Sequence, residues 1–202
     1  MSAFELAHPF TLESISQLRA GDAVSLSGLV FTGRDRFHKH LAETGDSRAD
    51  LRDGAIFHCG PIVAPCAVHD EFPGSAPWRI VAAGPTTSIR EEPYMPRIIA
   101  SQGLRVIIGK GGMGEGTTAA CRDCGCVYLQ AVGGAGAVIA KTIKRVLAVD
   151  YMEEFGATEA VWTLEVKNLE TICAIDAQGK SLYEAIKTDS ARRLKTLLNP
   201  SE

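Results

Sequence analysis

The sequence predicts an α/β fold with a mixed or parallel sheet, formed as one domain over residues 1–202. Two observations support this prediction. Short apolar runs of strand length alternate along the chain with amphipathic, helix-forming segments. Several of these runs end directly in turns that contain glycine, which is typical of strand ends. A chain of 202 residues is also long enough to bury a substantial core.

The composition argues against several classes of protein. The formal net charge is -3, so neither nucleic acid nor an anionic membrane surface is an expected partner. No apolar stretch approaches the length of a membrane span, and the first five residues lack the features of a signal peptide. Six cysteines at irregular spacings do not indicate a secreted disulfide framework. We therefore expect a cytoplasmic protein with reduced thiols.

The first half of the chain predicts strands that alternate with short helices. In order, these are a helix over 12–18, a strand over 24–31, a helix capped by Thr32 or Asp35, a strand over 55–59, a buried strand over 78–83 and a helix start near residue 94. The polar stretch 43–53 is expected to be a surface loop. Phe37 and Leu41 point inward from the second helix, while Arg34 and His38 lie four residues apart on one side. A solvated basic helix face is the alternative interpretation.

The second half continues the alternation. The expected elements are a strand over 104–108, a helix opening near Thr117, a strand over 126–132, an amphipathic helix over 135–149, strands over 160–166 and 171–176, and a helix from Ser181 to about residue 198. No internal linker interrupts this order, which favours a single α/β domain.

Residues 84–90 (Gly-Pro-Thr-Thr-Ser-Ile-Arg) follow one of the predicted strands and concentrate polar groups in a short space. Ligands of α/β sheets bind at the carboxyl ends of strands. Thr86, Thr87 and Ser88 are suited to capping the helix that follows, whose free N–H groups favour an anion. Arg90 adds a planar fork that matches a carboxylate. A capped turn beside a surface arginine is the alternative interpretation of this segment alone.

A second glycine-rich turn, residues 109–114 (Gly-Lys-Gly-Gly-Met-Gly), also follows an apolar run and contains one lysine, Lys110. Backbone N–H groups of such a turn approach an anion closely, and the lysine supplies charge. The spacing of a nucleotide-binding P-loop is absent. A flexible turn without a ligand is the other interpretation.

Seven blocks occur in a characteristic order over nearly the whole chain. They are residues 33–39 (Gly-Arg-Asp-Arg-Phe-His-Lys), 60–61 (Gly-Pro), 84–90, 109–114, 132–135 (Val-Gly-Gly-Ala), 159–162 (Glu-Ala-Val-Trp) and 176–183 (Asp-Ala-Gln-Gly-Lys-Ser-Leu-Tyr). In this combination the chain resembles the beta subunit, or C-terminal domain, of the class I iron–sulfur hydro-lyases, which include class I fumarase and L-tartrate dehydratase. The resemblance implies a swivelling β/β/α domain with mixed sheets and reversible addition of water to a four-carbon dicarboxylate.

The resemblance also implies roles for individual residues. Thr86 matches the proposed catalytic base, and Lys110 matches a lysine that reaches the substrate. Arg34 and Arg90 match arginines that bind a substrate carboxylate. This agrees with elementary chemistry, because a doubly negative substrate needs cations and the charge on its carboxylate grows in the transition state. A threonine hydroxyl is a poor base unless nearby cations, here Lys110 or Arg90, stabilise its alkoxide.

Thr87 and His38 complete the predicted substrate-binding set. His38 lies one helical turn from Arg34, where it orients that arginine or the substrate, or serves a structural role. We expect Arg34, Arg90, Lys110 and Thr86 to converge because all follow strand ends or begin helices. Glu91 and Glu92 directly follow residues 84–90. Two carboxylates at this position suit a site for a dianion only if they point away from that site.

The family's 4Fe–4S cluster is implied to lie on a partner, the alpha subunit, so no cofactor-binding or metal-binding residue is expected in this chain. The spacing of Cys121, Cys124 and Cys126 is typical of a metal site, but the last of them opens an apolar strand and no fourth ligand is evident. We interpret these three as small buried residues. Cys59 and Cys173 lie in apolar runs and are expected in the core.

The implied assembly is a heterotetramer, or dimer of heterodimers, of alpha and beta subunits, with the active site at the subunit boundary. Fumarate hydratase is the first functional hypothesis, and L-tartrate dehydratase is the alternative within the same class. A hypothesis of another class is a non-catalytic module that binds a dicarboxylate or another anion. Cluster-ligating cysteines in a partner protein would distinguish the enzyme from the binding module.

Overall fold

The computed structural model describes residues 3–66 and 76–198; the first two residues, part of the segment that predicted no signal peptide, lie outside these ranges. The described strands are β1 (Phe4–Ala7), β2 (Ala23–Gly33), β3 (Ala55–His58), β4 (Ile62–Pro65), β5 (Trp78–Ala82), β6 (Val106–Gly109), β7 (Val127–Gln130), β8 (Ile143–Asp150) and β9 (Val161–Ile175). The described helices are α1 (Leu12–Ser16), α2 (Asp35–Thr44), α3 (Met95–Gln102), α4 (Glu115–Cys124), α5 (Gly136–Ala140), α6 (Met152–Phe155) and α7 (Leu182–Leu198), with a 3₁₀ turn at Ser88–Glu91. Helices and mixed sheets confirm the α/β class.

Five strands close into a barrel. β2, β3, β6 and β7 are parallel neighbours in that order, and β9 runs antiparallel to β7. β9 also pairs antiparallel with β2, which joins the two ends of the series. β1 extends the sheet beside β2, and β8 extends it beside β9. The sheet is therefore mixed, as expected.

The parallel strands end together at one end of the barrel. Gly33 of β2 pairs with His58 of β3, and Gly109 of β6 pairs with Gln130 of β7. Because these pairs are the last of each strand, the four following loops emerge side by side. We call this region the carboxyl end of the barrel, and ligands of parallel sheets bind in this position.

Strand side chains are buried on both faces of the barrel. Phe57 and Ile108 contribute to the inner cluster, whereas their neighbours Ile56 and Ile107 pack outward against the helices. This two-sided burial explains the continuous apolar runs in the sequence. Each such side chain stabilises the fold by about 2 kcal/mol. Cys59 and Cys173 lie in the inner cluster, which confirms the expectation that they are core residues.

The prediction of a helix over 135–149 is wrong. α5 ends at Ala140, and the chain then forms β8, which pairs with the first half of β9. Ile143, Val146 and Val149 recur every three residues, a spacing that also fits a helix face. The segment forms a strand because the edge of β9 is available for pairing. Its β-branched residues also fit a pleated surface well.

The two strands expected over 160–166 and 171–176 form one strand, β9, which continues through Asn168 with a left-handed φ of 55°. The strand predicted over 78–83 exists, but it lies outside the barrel. It forms β5, whose only partner among the described residues is β4, a strand that the sequence did not predict. Trp78 of β5 packs edge-on against Trp162, with ring centroids 5.8 Å apart, while Val81 faces outward.

Several expected helix caps are not made. Arg34 is the N-cap residue of α2 and makes no side-chain cap bond, so neither Thr32 nor Asp35 has that role. Instead, the Thr32 hydroxyl donates to the carbonyl of Ala160 at 3.3 Å and accepts from the N–H of Trp162. Ser181 does accept from the N–H of Glu184, at 3.4 Å. In the described part of the chain, no helix has both the length and the apolar character needed to cross a membrane.

Candidate active site

Segment 84–90 lies across the carboxyl end of the barrel. Pro85 forms a bridge with Cys59, which follows β3, and Thr87 forms a bridge with Lys110, which follows β6. The segment therefore sits between two of the four loops that emerge there. It does so although β5, the strand before it, belongs to the small second sheet and not to the barrel.

Thr86 is held by both of these loops. Its N–H and its Oγ1 both donate to the carbonyl oxygen of His58, at 2.7 and 3.0 Å. Its own carbonyl accepts from the N–H of Lys110 at 3.3 Å, and the Lys110 carbonyl accepts from the N–H of Ser88 at 2.9 Å. Four backbone and side-chain bonds thus fix the position of the Thr86 hydroxyl relative to Lys110.

Arg34 and Arg90 come together through Asp35. Arg90 Nη2 donates to Asp35 Oδ2 at 2.6 Å, and Arg34 Nη2 lies 4.0 Å from the same oxygen. Arg34 Nε lies 3.5 Å from a carboxylate oxygen of Glu159. Both arginines therefore face carboxylates of this chain, the group whose geometry a guanidinium matches.

Lys110 occupies the glycine-rich turn after β6. Gly111 and Gly112 have left-handed φ values of 79° and 81°, which glycine adopts without steric cost. The lysine side chain passes the loop after β7, because a Cβ placed on Gly133 would lie 3.5 Å from Lys110 Cδ. Thr87 is exposed beside this turn. The structure thus places Thr86, Thr87, Lys110, Arg34 and Arg90 at one end of the barrel.

His38, the remaining predicted substrate-binding residue, is fully buried. Its Nδ1 lies 2.8 Å from the carbonyl oxygen of Arg34, and since that oxygen only accepts, we assign the proton to Nδ1. Burial lowers the pKa of His38 to about 4, so the ring is neutral at neutral pH. Orientation of Arg34 and a structural role, two of the roles considered for His38, both fit this geometry.

A buried polar triad underlies segment 84–90, and the sequence did not reveal it. His58 Nδ1 lies 2.9 Å from Ser88 Oγ, and the Tyr128 hydroxyl donates to the same Oγ at 3.0 Å. Burial lowers the pKa of His58 and raises that of Tyr128, so both are neutral at neutral pH. Ser88 therefore anchors the segment from below and does not cap a helix. The available signal was a histidine and a tyrosine inside otherwise apolar strands.

The two adjacent glutamates are held by other elements of the fold. Glu92 Oε2 accepts from the N–H of Gly114 and from the Thr117 hydroxyl, each at 2.7 Å, and Oε1 accepts from the N–H of Thr117 at 3.0 Å. Glu92 thus caps α4. Glu91 is fully buried, with its Oε2 3.5 Å from His38 Nδ1 of α2. Glu92 is therefore directed at α4, whereas Glu91 lies buried between the segments that carry the arginines.

The described cysteines do not fit the 4Fe–4S cluster that the family resemblance implies. Residues 3–66 and 76–198 contain no group of three or more His, Cys, Asp or Glu side chains that could hold a metal ion. Cys121 and Cys126 are fully buried, and a hydrogen bond between them together with burial raises the pKa of the Cys121 thiol. Cys124 is half-buried at the end of α4. The surroundings of Cys121 thus disfavour the thiolate form that binds iron.

Comparison with known proteins yields a consistent set of relatives. Residues 1–186 match the family described as Fumarase C-terminus. A protein of Geobacillus stearothermophilus, provisionally named a class I fumarate hydratase, is 43% identical over 195 residues, which cover 96% of this chain but only 36% of that protein. A provisionally named L(+)-tartrate dehydratase subunit beta of Methanocaldococcus jannaschii is 36% identical, covering 93% of this chain and 95% of the relative. The L(+)-tartrate dehydratase subunit beta of Escherichia coli K12 is 32% identical, covering 93% and 90%.

Proposed function

Because the chain belongs to the family described as Fumarase C-terminus, we propose that it is the beta subunit of a class I, 4Fe–4S-dependent hydro-lyase. The reaction we assign to the assembled enzyme is the reversible addition of water to fumarate, which gives L-malate. The observation that carries this proposal is the position of Thr86 beside Lys110, with Arg34 and Arg90 at the same end of the barrel. We place the enzyme in the cytoplasm.

In this proposal the cations bind the substrate through its two carboxylates. One substrate carboxylate takes the place of the Asp35 carboxylate at Arg90 and Arg34, where bidentate contacts fix its orientation. Lys110 faces the other half of the substrate. Thr87, exposed at the bridge to Lys110, completes the binding surface. Holding the dianion in one pose lowers the barrier because less freedom is lost in the transition state.

We assign the proton transfer to Thr86. When malate loses water, a base removes a proton from the carbon next to one carboxylate, and hydroxide leaves the neighbouring carbon. Thr86 Oγ1, whose hydroxyl donates to the His58 carbonyl at 3.0 Å, first releases its own proton to solvent, and the resulting alkoxide takes the proton from the substrate carbon. The positive charge of Lys110 stabilises the deprotonated hydroxyl, and the arginines stabilise the charge that grows on the substrate carboxylate. Departure of the hydroxide is assigned to the partner subunit.

The cluster itself we place on an alpha subunit, in a heterotetramer that is a dimer of alpha–beta heterodimers. Two relatives are named as subunit beta, which supports a partner of this kind. Exposed apolar side chains that follow β3 and β7 or lie on segment 84–90 support a docking surface at this end of the barrel: Ile62, Val132 and Ile89. Several exposed apolar residues around one site are typical of a protein interface.

The test is an anaerobic hydratase assay with an iron determination on the same samples. The purified chain alone is expected to be colourless and inactive with malate, fumarate and tartrate. Addition of the cluster-bearing partner should restore turnover, and the two proteins should elute together. Steady turnover by iron-free chain alone would contradict the proposed division of labour.

L-tartrate dehydration is the second candidate, because relatives named for tartrate match the chain over nearly their full length. The reconstituted enzyme should be assayed with L-malate and L(+)-tartrate under identical conditions. A larger kcat/KM for malate supports the fumarate assignment, and a larger value for tartrate replaces it. Binding of succinate without turnover of either substrate would indicate a non-catalytic anion-binding module.

A further inference from the structure

The two segments that carry the arginines meet through two polar contacts, one exposed and one buried. On the outside, Arg90 pairs with Asp35, and both side chains are nearly half exposed. On the inside, Glu91 Oε2 lies 3.5 Å from His38 Nδ1, and neither side chain is exposed. The inner contact joins the Ser88–Glu91 turn to the first turns of α2.

The inner contact constrains the spacing of the two arginine-bearing segments more strongly than the outer ion pair does. An exposed ion pair contributes little to stability and yields readily to a competing carboxylate. Glu91 and His38 instead lie in a close-packed interior, where a change of shape displaces their neighbours. His38 also bonds the carbonyl of Arg34, and Glu91 directly follows Arg90. A movement of Glu91 therefore reaches both arginines.

The surroundings of Glu91 favour a neutral carboxyl group. Neither carboxyl oxygen has a hydrogen-bond partner among the described residues. The titratable groups that face it are Asp35 and His38 of α2, Arg90 of its own turn, and Glu159 before β9. Burial, followed by the negative charge of Asp35, raises the pKa of Glu91 to about 8. Since His38 is neutral as well, the inner contact joins two uncharged groups at neutral pH.

We propose that Glu91 is a positioning residue, which sets the spacing of Arg34 and Arg90 through its buried contact with His38. This inference rests on the proposed function in one respect only, namely that the two arginines bind the substrate. Ionisation of Glu91 leaves a buried carboxylate without a cation in hydrogen-bond contact, and such a group is expelled towards water. The spacing of the arginines is then lost, and substrate binding weakens.

The decisive variant is Glu91→Gln, which keeps the shape but does not ionise, with Glu91→Met as a second uncharged variant. Glu170→Gln, an exposed glutamate on β9, makes the same change of charge elsewhere. In the full chain, the ¹³Cζ signals of Arg34 and Arg90, assigned from Arg34→Lys and Arg90→Lys, are followed from pH 6.5 to 9. Both signals should shift around pH 8 in wild type and Glu170→Gln, and remain constant in Glu91→Gln and Glu91→Met.

The same variants are then assayed with the partner subunit. Wild-type KM should rise about tenfold per pH unit above pH 8 while kcat changes less, and Glu91→Gln should remove this rise. Arginine signals with the same pH response in wild type and Glu91→Gln would overturn the positioning role, whatever the activity. Arginine signals that follow Glu91 in a complex that dehydrates neither malate nor tartrate would support the positioning role and reject the proposed function.

Discussion

Two glycines at the carboxyl end of the barrel leave room for the side chains of the candidate site. A Cβ on Gly109 would lie 1.9 Å from Ser88 Oγ, and a Cβ on Gly60 would lie 2.6 Å from Arg34 Cδ. Neither distance is compatible with a real side chain. Gly109 at the end of β6 therefore lets Ser88 approach the barrel closely, and Gly60 after β3 does the same for Arg34. Single residues without side chains thus determine where the polar groups of the site lie.

Arg90→Lys should lower the turnover of the assembled enzyme by about 10- to 1,000-fold, although the positive charge is kept. Lysine is a point charge and does not reproduce the two-pronged contact of a guanidinium with a carboxylate. The measurement is kcat and KM of the reconstituted enzyme. Arg97→Lys, at an exposed position on α3, is the matched control and should be close to wild type. Normal turnover of Arg90→Lys would show that Arg90 lies outside the reaction site.

At the scale of elements, segment 84–90 and α4 are connected through one side chain. Glu92, two residues after Arg90, caps α4 with three hydrogen bonds. The chain that follows segment 84–90 therefore stabilises the start of the helix after the glycine-rich turn. A carboxylate at a helix N-terminus satisfies free N–H groups and interacts favourably with the helix dipole. This side-chain cap consequently helps to hold together the two turns that carry Arg90 and Lys110.

Glu92→Ala should destabilise the chain by about 2 kcal/mol, because three hydrogen bonds to one carboxylate are lost at a partly buried helix end. The measurement is equilibrium unfolding in urea, with the midpoint compared at constant slope. Glu115→Ala removes an exposed acid from the first turn of the same helix and should cost less than about 1 kcal/mol. Equal losses for both variants would show that Glu92 acts only through its charge.

At the scale of the whole molecule, three buried titratable groups (His38, His58 and Glu91) should give the chain a stability maximum near pH 6.5. Burial lowers the pKa of His38 to about 4 and lowers that of His58. Below pH 6.5 the unfolded chain binds these protons and the folded chain does not, so stability falls as pH decreases. Glu91, with a pKa of about 8, is protonated only in the folded chain between about pH 5 and 8, so its contribution falls as pH increases.

The unfolding free energy of the full chain, measured from pH 4 to 9, should decrease on both sides of pH 6.5. Between pH 5 and 6.5 the two histidines outweigh Glu91, and each group contributes about 1.4 kcal/mol per pH unit. His38→Asn keeps an N–H donor without a titrating ring and should reduce the acid slope. His8→Asn, at an exposed position, should not. Stability that rises steadily from pH 6.5 to 8 would contradict the neutral state assigned to Glu91.

The sequence predicted which candidate residues lie at the carboxyl end of the barrel better than it predicted the buried contacts beneath them. Arg34 and Lys110 could be placed because each directly follows an apolar run, and the runs became parallel strands of one barrel. The burial of Glu91 and His38 could not be predicted, since it depends on packing between segments more than 50 residues apart. The strand nature of β8 was hidden for the same reason, because pairing with β9 overrides its local spacing.

Closure of the barrel by β9 also bears on how the chain folds during synthesis. Thr171 of β9 bonds the carbonyl of Val24 in β2, a partner 147 positions away. While the ribosome adds the intervening residues, the edge of β2 that later receives β9 stays unpaired. Open strand edges recruit other chains, and contacts of such long range form slowly. We therefore expect a nascent chain to expose this edge of β2 until residues as far as 175 are free to form β9.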